Sequence, residues 1–143
     1  MQPTDAEALF ALKSDREAMD FYGDEPHQSL AETHALIQQL QDSYDLHEAL
    51  HWGITLKGDE TVIGSCTFFF VDPGLHYVET GYELQRAYWH QGMMTEALSA
   101  ILTYGFTQLG LHRVEAAMDA RNARSKSLPC LKHKPSLSTV NSK

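Results

Sequence analysis

Cysteine is scarce in this chain of 143 residues: Cys66 and Cys130 are the whole inventory. Two thiols so far apart make no disulfide framework, and reduced thiols are the expectation. Basic residues are scarce too, 11 Lys and Arg against 19 Asp and Glu, for a formal net charge of -8. That excludes the broad cationic face that replaces counterions on nucleic acid. No apolar run reaches membrane-spanning length, and the N-terminus has no basic stretch leading into an apolar one, so a cytoplasmic protein with no membrane partner is expected. What remains is ordinary for one globular domain, with 43% hydrophobic and 21% charged residues.

The first part of the chain reads as helical. Thr4 and Glu7 have capping-box spacing before Leu9, Phe10 and Leu12, and Ser14 and Glu17 repeat it before a stop at Gly23. Ser29 and Glu32 predict a third helix with an apolar face at Leu30, Ile37, Leu40 and Tyr44. The pattern then turns to strands at Trp52 to Leu56, Val62 to Val71 and Tyr77 to Leu84, joined by turns at Gly58-Asp59 and Asp72-Pro73-Gly74. Tight turns imply an antiparallel meander. A loop from Gln85 to Gly92 precedes a helix with the stripe Leu98, Ile101, Leu102, Phe106 and Leu109, ended by Gly110. Arg113 to Met118 reads as a fourth strand, parallel to the third because a helix crosses between them.

A strand, a glycine-bearing loop and a helix N-terminus form an anion site, because the first helical amides lack partners and the peptide dipoles favour negative charge. The loop Trp89-His90-Gln91-Gly92-Met93-Met94-Thr95 is neither a Walker loop nor a dinucleotide fingerprint. Its surroundings say more. The runs Glu79-Thr80-Gly81-Tyr82-Glu83-Leu84, Tyr88 to Leu98, Tyr104-Gly105-Phe106 and Leu109 to Ala116, followed by Asn122 and Ser125, resemble the GNAT N-acetyltransferase superfamily in order and spacing. The branch that acetylates ribosomal-protein N-termini is the most similar, over roughly residues 2 to 128.

The resemblance implies an α+β fold with a mixed, mostly antiparallel sheet flanked by helices, as one domain over 1–128 with an irregular tail over 129–143. It implies acetyl-coenzyme A as co-substrate and a primary amine, on a protein N-terminus or a small molecule, as acceptor. The loop residues Trp89, His90, Gln91, Gly92, Met93, Met94 and Thr95 then wrap the pyrophosphate, Asn122 contacts the cofactor or braces a strand end, and the backbone near Leu84 meets the pantetheine arm. Acetyl transfer needs a neutral amine and a proton source for the leaving thiolate. Glu79 is the implied base, with Glu83 on the same face; a solvated strand face is the alternative for both. Ser125 stands where a proton donor would be sought. His90 and Met94 are bulkier than the family loop's usual residues.

The same resemblance predicts a first strand and C-terminal strands that this sequence lacks or alters, since Pro129 would break the helix expected after Ser125. A weak or inactive acyl-coenzyme A-binding remnant is therefore a second reading, as is a domain that completes its sheet with another copy through an exposed edge. His47-Glu48-Ala49-Leu50-His51 matches the H-E-x-x-H zinc motif, but strand-like residues follow where a helix must continue. The expectation there is a polar helix end and no metal.

Overall fold

The computed structural model describes residues 1–72, 74 and 76–116. Three helices come first: α1 (Ala6–Lys13), α2 (Arg16–Tyr22) and α3 (Leu30–Asp45). Strands β1 (Ala49–Thr55), β2 (Val62–Asp72) and β3 (Tyr77–Leu84) follow, then α4 (Met93–Thr107) and β4 (Arg113–Ala116). The sheet runs β1-β2-β3-β4, with the first two pairings antiparallel and the last parallel. This is the mixed, mostly antiparallel α+β architecture that the pattern predicts. The part of the predicted fourth strand beyond Ala116, and the tail over 129–143, lie outside the described residues.

Local chemistry sets the helix boundaries. α2 starts on Asp15, whose carboxylate accepts from the amides of Glu17 and Ala18, and stops at Gly23 in the left-handed conformation with φ 81°. The cap is thus one residue later than Ser14, whose hydroxyl instead donates back to the Phe10 carbonyl. Ser29 caps α3 as expected, accepting from the Glu32 amide. The expected face of α3 is only partly correct. Ile37 is buried, but Leu30 and Tyr44 are exposed, and the buried companion is Thr33, held by His27 Nδ1 at 2.8 Å. A polar side chain that finds a partner can occupy an interior position that periodicity reserves for an apolar one.

Two cores lie on opposite faces of the sheet. One face carries Trp52, Cys66, Phe68, Val78 and Leu84 against Ala97, Leu98 and Ile101 of α4. The other core joins Leu9, Leu12, Ala18, Met19 and Ile37 of the first three helices. In α4 the inward position near the end is Gly105 rather than Phe106, which is exposed. A Cβ on Gly105 would stand 2.8 Å from Leu111 Cδ1 and 2.9 Å from Phe68 Cε2, so the helix reaches the sheet only because that side chain is missing. Trp89, in the loop before α4, packs against both cores.

Candidate active site

The loop before α4 is built to expose backbone. His90 and Gly92 both take left-handed φ values, 62° and 77°. Gly92 is the N-cap of α4 and no side chain caps the helix. The first intrahelical bond runs from the Glu96 amide to the Gly92 carbonyl at 3.0 Å, so the amides of Met93, Met94 and Thr95 precede it and lie at the positive end of the helix dipole. A Cβ on Gly92 would meet nothing within 4 Å. Glycine suits this position because it takes the left-handed conformation without strain.

Side chains fasten the loop from behind. Gln91 turns its amide back to the Ala87 carbonyl at 3.0 Å. Arg86 spans to Asp15 and Glu17 of the α2 N-terminus, each at 2.6 Å. Trp89 donates Nε1–H to the Leu84 carbonyl at 2.8 Å, and its ring lies 5.1 Å from that of Phe21. Met94 packs inward, with Cys66 Sγ 3.9 Å from its sulfur. Of the candidate loop residues, Trp89, Met93, Met94 and Thr95 are half-buried, and His90, Gln91 and Gly92 are exposed.

Strand β3 enters the loop from below, and its edge is distinctive. Its pairing with β4 runs from Tyr77–Arg113 to Thr80–Ala116 among the described residues. At Leu84 both edge-facing backbone groups have protein partners. The amide donates to the Tyr22 hydroxyl at 3.0 Å, and the carbonyl accepts from Trp89 and from Tyr22. Tyr22 was not legible as a site residue, because it reaches this edge from 62 positions away. Burial pushes its hydroxyl pKa up to about 12, against the lowering effect of its contact with the Leu84 backbone.

The two acids of β3 separate in character. Glu83 is largely buried and receives Lys13 Nζ at 2.7 Å and the Ser65 hydroxyl at 3.0 Å. It braces α1 against the sheet and is no solvated strand residue. Glu79 sits further along the same face, half-buried, opposite Phe69 on β2 and Glu115 on β4. The Tyr77 hydroxyl bridges the two carboxylates, 2.8 Å from Glu115 and 3.5 Å from Glu79. That hydroxyl and then Arg113, which pairs with Glu115, hold the Glu115 carboxyl below its ordinary range. Sequence reasoning missed Lys13, Tyr77 and Glu115; only the register of β3 against β4 brings the last two to Glu79. Asn122 and Ser125 lie outside the described residues.

The histidine motif is not helical. His47 lies in a turn with φ 58°, and His51 is on β1, which begins at Ala49. The pair therefore lacks the i, i+4 helix face that zinc ligation of this type requires. Among the described residues no group of three or more His, Cys, Asp or Glu could hold a metal. Cys66 is buried, and burial followed by the charge of Glu83 pushes its thiol up to about 12, away from any nucleophilic role. No described helix is long and apolar enough to cross a membrane.

The family model of the acetyltransferase (GNAT) domain matches residues 1–129. The chain belongs to the GNAT acetyltransferase family. Members are acyltransferases that move an acetyl group from acetyl-coenzyme A to an amine, so the chain is an enzyme of that class. It is 32% identical over 124 residues to the uncharacterized N-acetyltransferase YoaA of Bacillus subtilis, covering 87% of this chain and 70% of YoaA. In fold it is similar to ribosomal-protein-S5-alanine acetyltransferase of Vibrio fischeri, with TM-score 0.73, 21% identity and coverage of 90% and 73% of the two chains. It is also similar in fold to the spermidine N-acetyltransferase of Vibrio cholerae solved with CoA and spermine, with TM-score 0.75, 17% identity and the same two coverages, 90% and 73%.

Proposed function

We propose that this GNAT protein acetylates a primary amine, on a protein N-terminus or a small molecule, with the cofactor on the α4 side of β3 and the acceptor on the Glu79 side. The observation that carries the reading is a juxtaposition. The open N-terminus of α4 behind left-handed Gly92 follows closely on the end of β3, the strand that carries Glu79. The amides of Met93, Met94 and Thr95 are suited to a pyrophosphate, with Trp89, His90 and Gln91 shaping the rim. Acetyl-coenzyme A, when bound, supplies the acyl group as a thioester. The end of β3 at Leu84, beside that loop, is where the pantetheine arm would run on from the pyrophosphate. Engaging Leu84 itself requires Tyr22 or Trp89 to yield a hydrogen bond.

On the other face, Glu79 takes a proton from the acceptor ammonium, since an alkyl amine must be neutral to attack. The Tyr77 hydroxyl between Glu79 and Glu115 orients that carboxylate. The surrounding acids suit a cationic acceptor. A screen of primary amines (peptide N-termini, polyamines, aminoglycosides, amino sugars) with acetyl-coenzyme A, read by free-thiol release, tests the reading. Turnover is expected with at least one amine. Glu79→Gln is expected to reduce it by about 10²–10⁴-fold while leaving coenzyme A binding in place. Binding without turnover on any amine would instead favour a cofactor-binding remnant.

A further inference from the structure

Phe69 on β2 is the rung partner of Glu79 and shares its face of the sheet. β2 is paired on both sides, yet Phe69 is 48% exposed. A single exposed aromatic is ordinary on a protein surface. This one borders the proposed base and is held in place. On the β1 side its ring meets that of His51 edge-on, with centroids 6.2 Å apart, and Thr67 Oγ1 fixes the imidazole through Nδ1 at 2.9 Å. On the β3 side its neighbour is Gly81. A Cβ there would stand 3.4 Å from Phe69 Cε2, so residue 81 lays no side chain on the ring. A glycine inside a strand weakens it and often marks a place where a ligand comes close.

The charges on this face differ in their pairing. Glu83 has Lys13 as its counter-ion, and Glu115 has Arg113. Glu79 accepts from the Tyr77 hydroxyl, and no basic side chain among the described residues pairs with it. The face thus sets one uncompensated carboxylate beside one open aromatic ring.

We infer that the acceptor is a primary monoamine whose nitrogen is carried on a hydrocarbon chain, and that Phe69 is the residue that selects it. The inference rests on the acceptor placement at Glu79 proposed above. The single ammonium faces Glu79, and the carbons next to it lie on the Phe69 ring. A hydroxylated skeleton, such as that of an amino sugar, would lose water against the ring without gaining a hydrogen bond from it. A second ammonium, as in a diamine, would find the neighbouring carboxylates already paired.

The test is free-thiol release from acetyl-coenzyme A with n-butylamine, 1,4-diaminobutane and glucosamine, on the parent, Phe69→Ala and Phe69→Leu. Calorimetric affinity for acetyl-coenzyme A is measured alongside. The parent is expected to favour n-butylamine in kcat/KM over the other two. Phe69→Ala is expected to lower kcat/KM for n-butylamine roughly three- to tenfold, through KM, and that for glucosamine less. Its affinity for acetyl-coenzyme A should stay parental. Phe69→Leu, which keeps an apolar surface, should retain most of the preference. A parental kcat/KM for n-butylamine in Phe69→Ala overturns the role of Phe69. So does a loss shared equally by glucosamine or by acetyl-coenzyme A binding, because Phe69 would then serve the fold. A parent that favours 1,4-diaminobutane or glucosamine, or that acetylates only other amines, overturns the acceptor class. A parent that binds acetyl-coenzyme A and acetylates no amine overturns the acceptor placement itself, and the Phe69 role with it.

Discussion

Lys13 and Glu83 meet at 2.7 Å across the junction of α1 and β3, with their side chains only 12% and 13% exposed. Removing one partner of such a pair leaves the other charge buried without compensation. Lys13→Met is expected to destabilise the fold by roughly 3 kcal/mol. The double variant Lys13→Met with Glu83→Gln should regain much of that loss. Urea denaturation of the three proteins measures both. A single variant as stable as the parent would show that the pair is solvent-screened.

His51 predicts a pH dependence. Burial, assisted by the positive charge of the chain's amino terminus, lowers its pKa to about 4. Its folded pKa lies below its unfolded value, so the unfolded state binds more protons between about pH 6.5 and pH 4. Its contribution is fully present above pH 6.5 and is lost as pH falls through that window. The slope is at most about 1.4 kcal/mol per pH unit, and solvent reaching this half-buried ring reduces it. Melting temperatures of the parent and His51→Gln at pH 7 and pH 5 provide the check. The parent should fall more steeply, and equal slopes would assign the acid sensitivity to other groups.

Tyr22→Phe removes the acceptor of the Leu84 amide and one donor to its carbonyl. A loss of about 1–3 kcal/mol is expected for leaving that amide unpaired. Because this end of β3 is proposed for the pantetheine arm, acetyl-coenzyme A should compensate part of the loss, giving a larger thermal shift in the variant than in the parent. A smaller shift would mean that Tyr22 supports binding instead of competing with it.

Local signals reveal much of this architecture. Ser29 with Glu32, the β-rich run from Val62, and the stripe through Leu98 and Ile101 each depend on neighbours in sequence, and each element forms where expected. The misses are tertiary. Tyr44 is exposed, while Thr33 is buried with His27 as its partner. Ala49 to His51 pair with β2 in β1 while His47 stays in the preceding turn, against the helical spacing of the motif. Site residues follow the same division. The loop around Gly92 is legible as a strand–glycine–helix transition, whereas Lys13, Tyr22, Tyr77 and Glu115 gain their roles only from contacts that the fold creates. Gly92 takes φ 77°, a conformation that a β-branched residue resists.

Gly92→Val and Gly92→Asn therefore separate two demands. Asparagine tolerates the left-handed region and β-branched valine does not. Gly92→Val is expected to weaken coenzyme A binding by about 1–3 kcal/mol through loss of one or two charge-assisted hydrogen bonds, and Gly92→Asn by much less. Fluorescence titration of Trp89, beside the loop, reports both. Equal affinities in the parent and the valine variant would remove the pyrophosphate from this helix end.

The most direct measurement is calorimetric titration of acetyl-coenzyme A into the folded parent protein. The account predicts saturable binding at one site per chain, with a melting temperature that rises with ligand concentration by mass action. Absence of both heat and thermal shift at millimolar ligand, in a sample whose unfolding is cooperative, would contradict it.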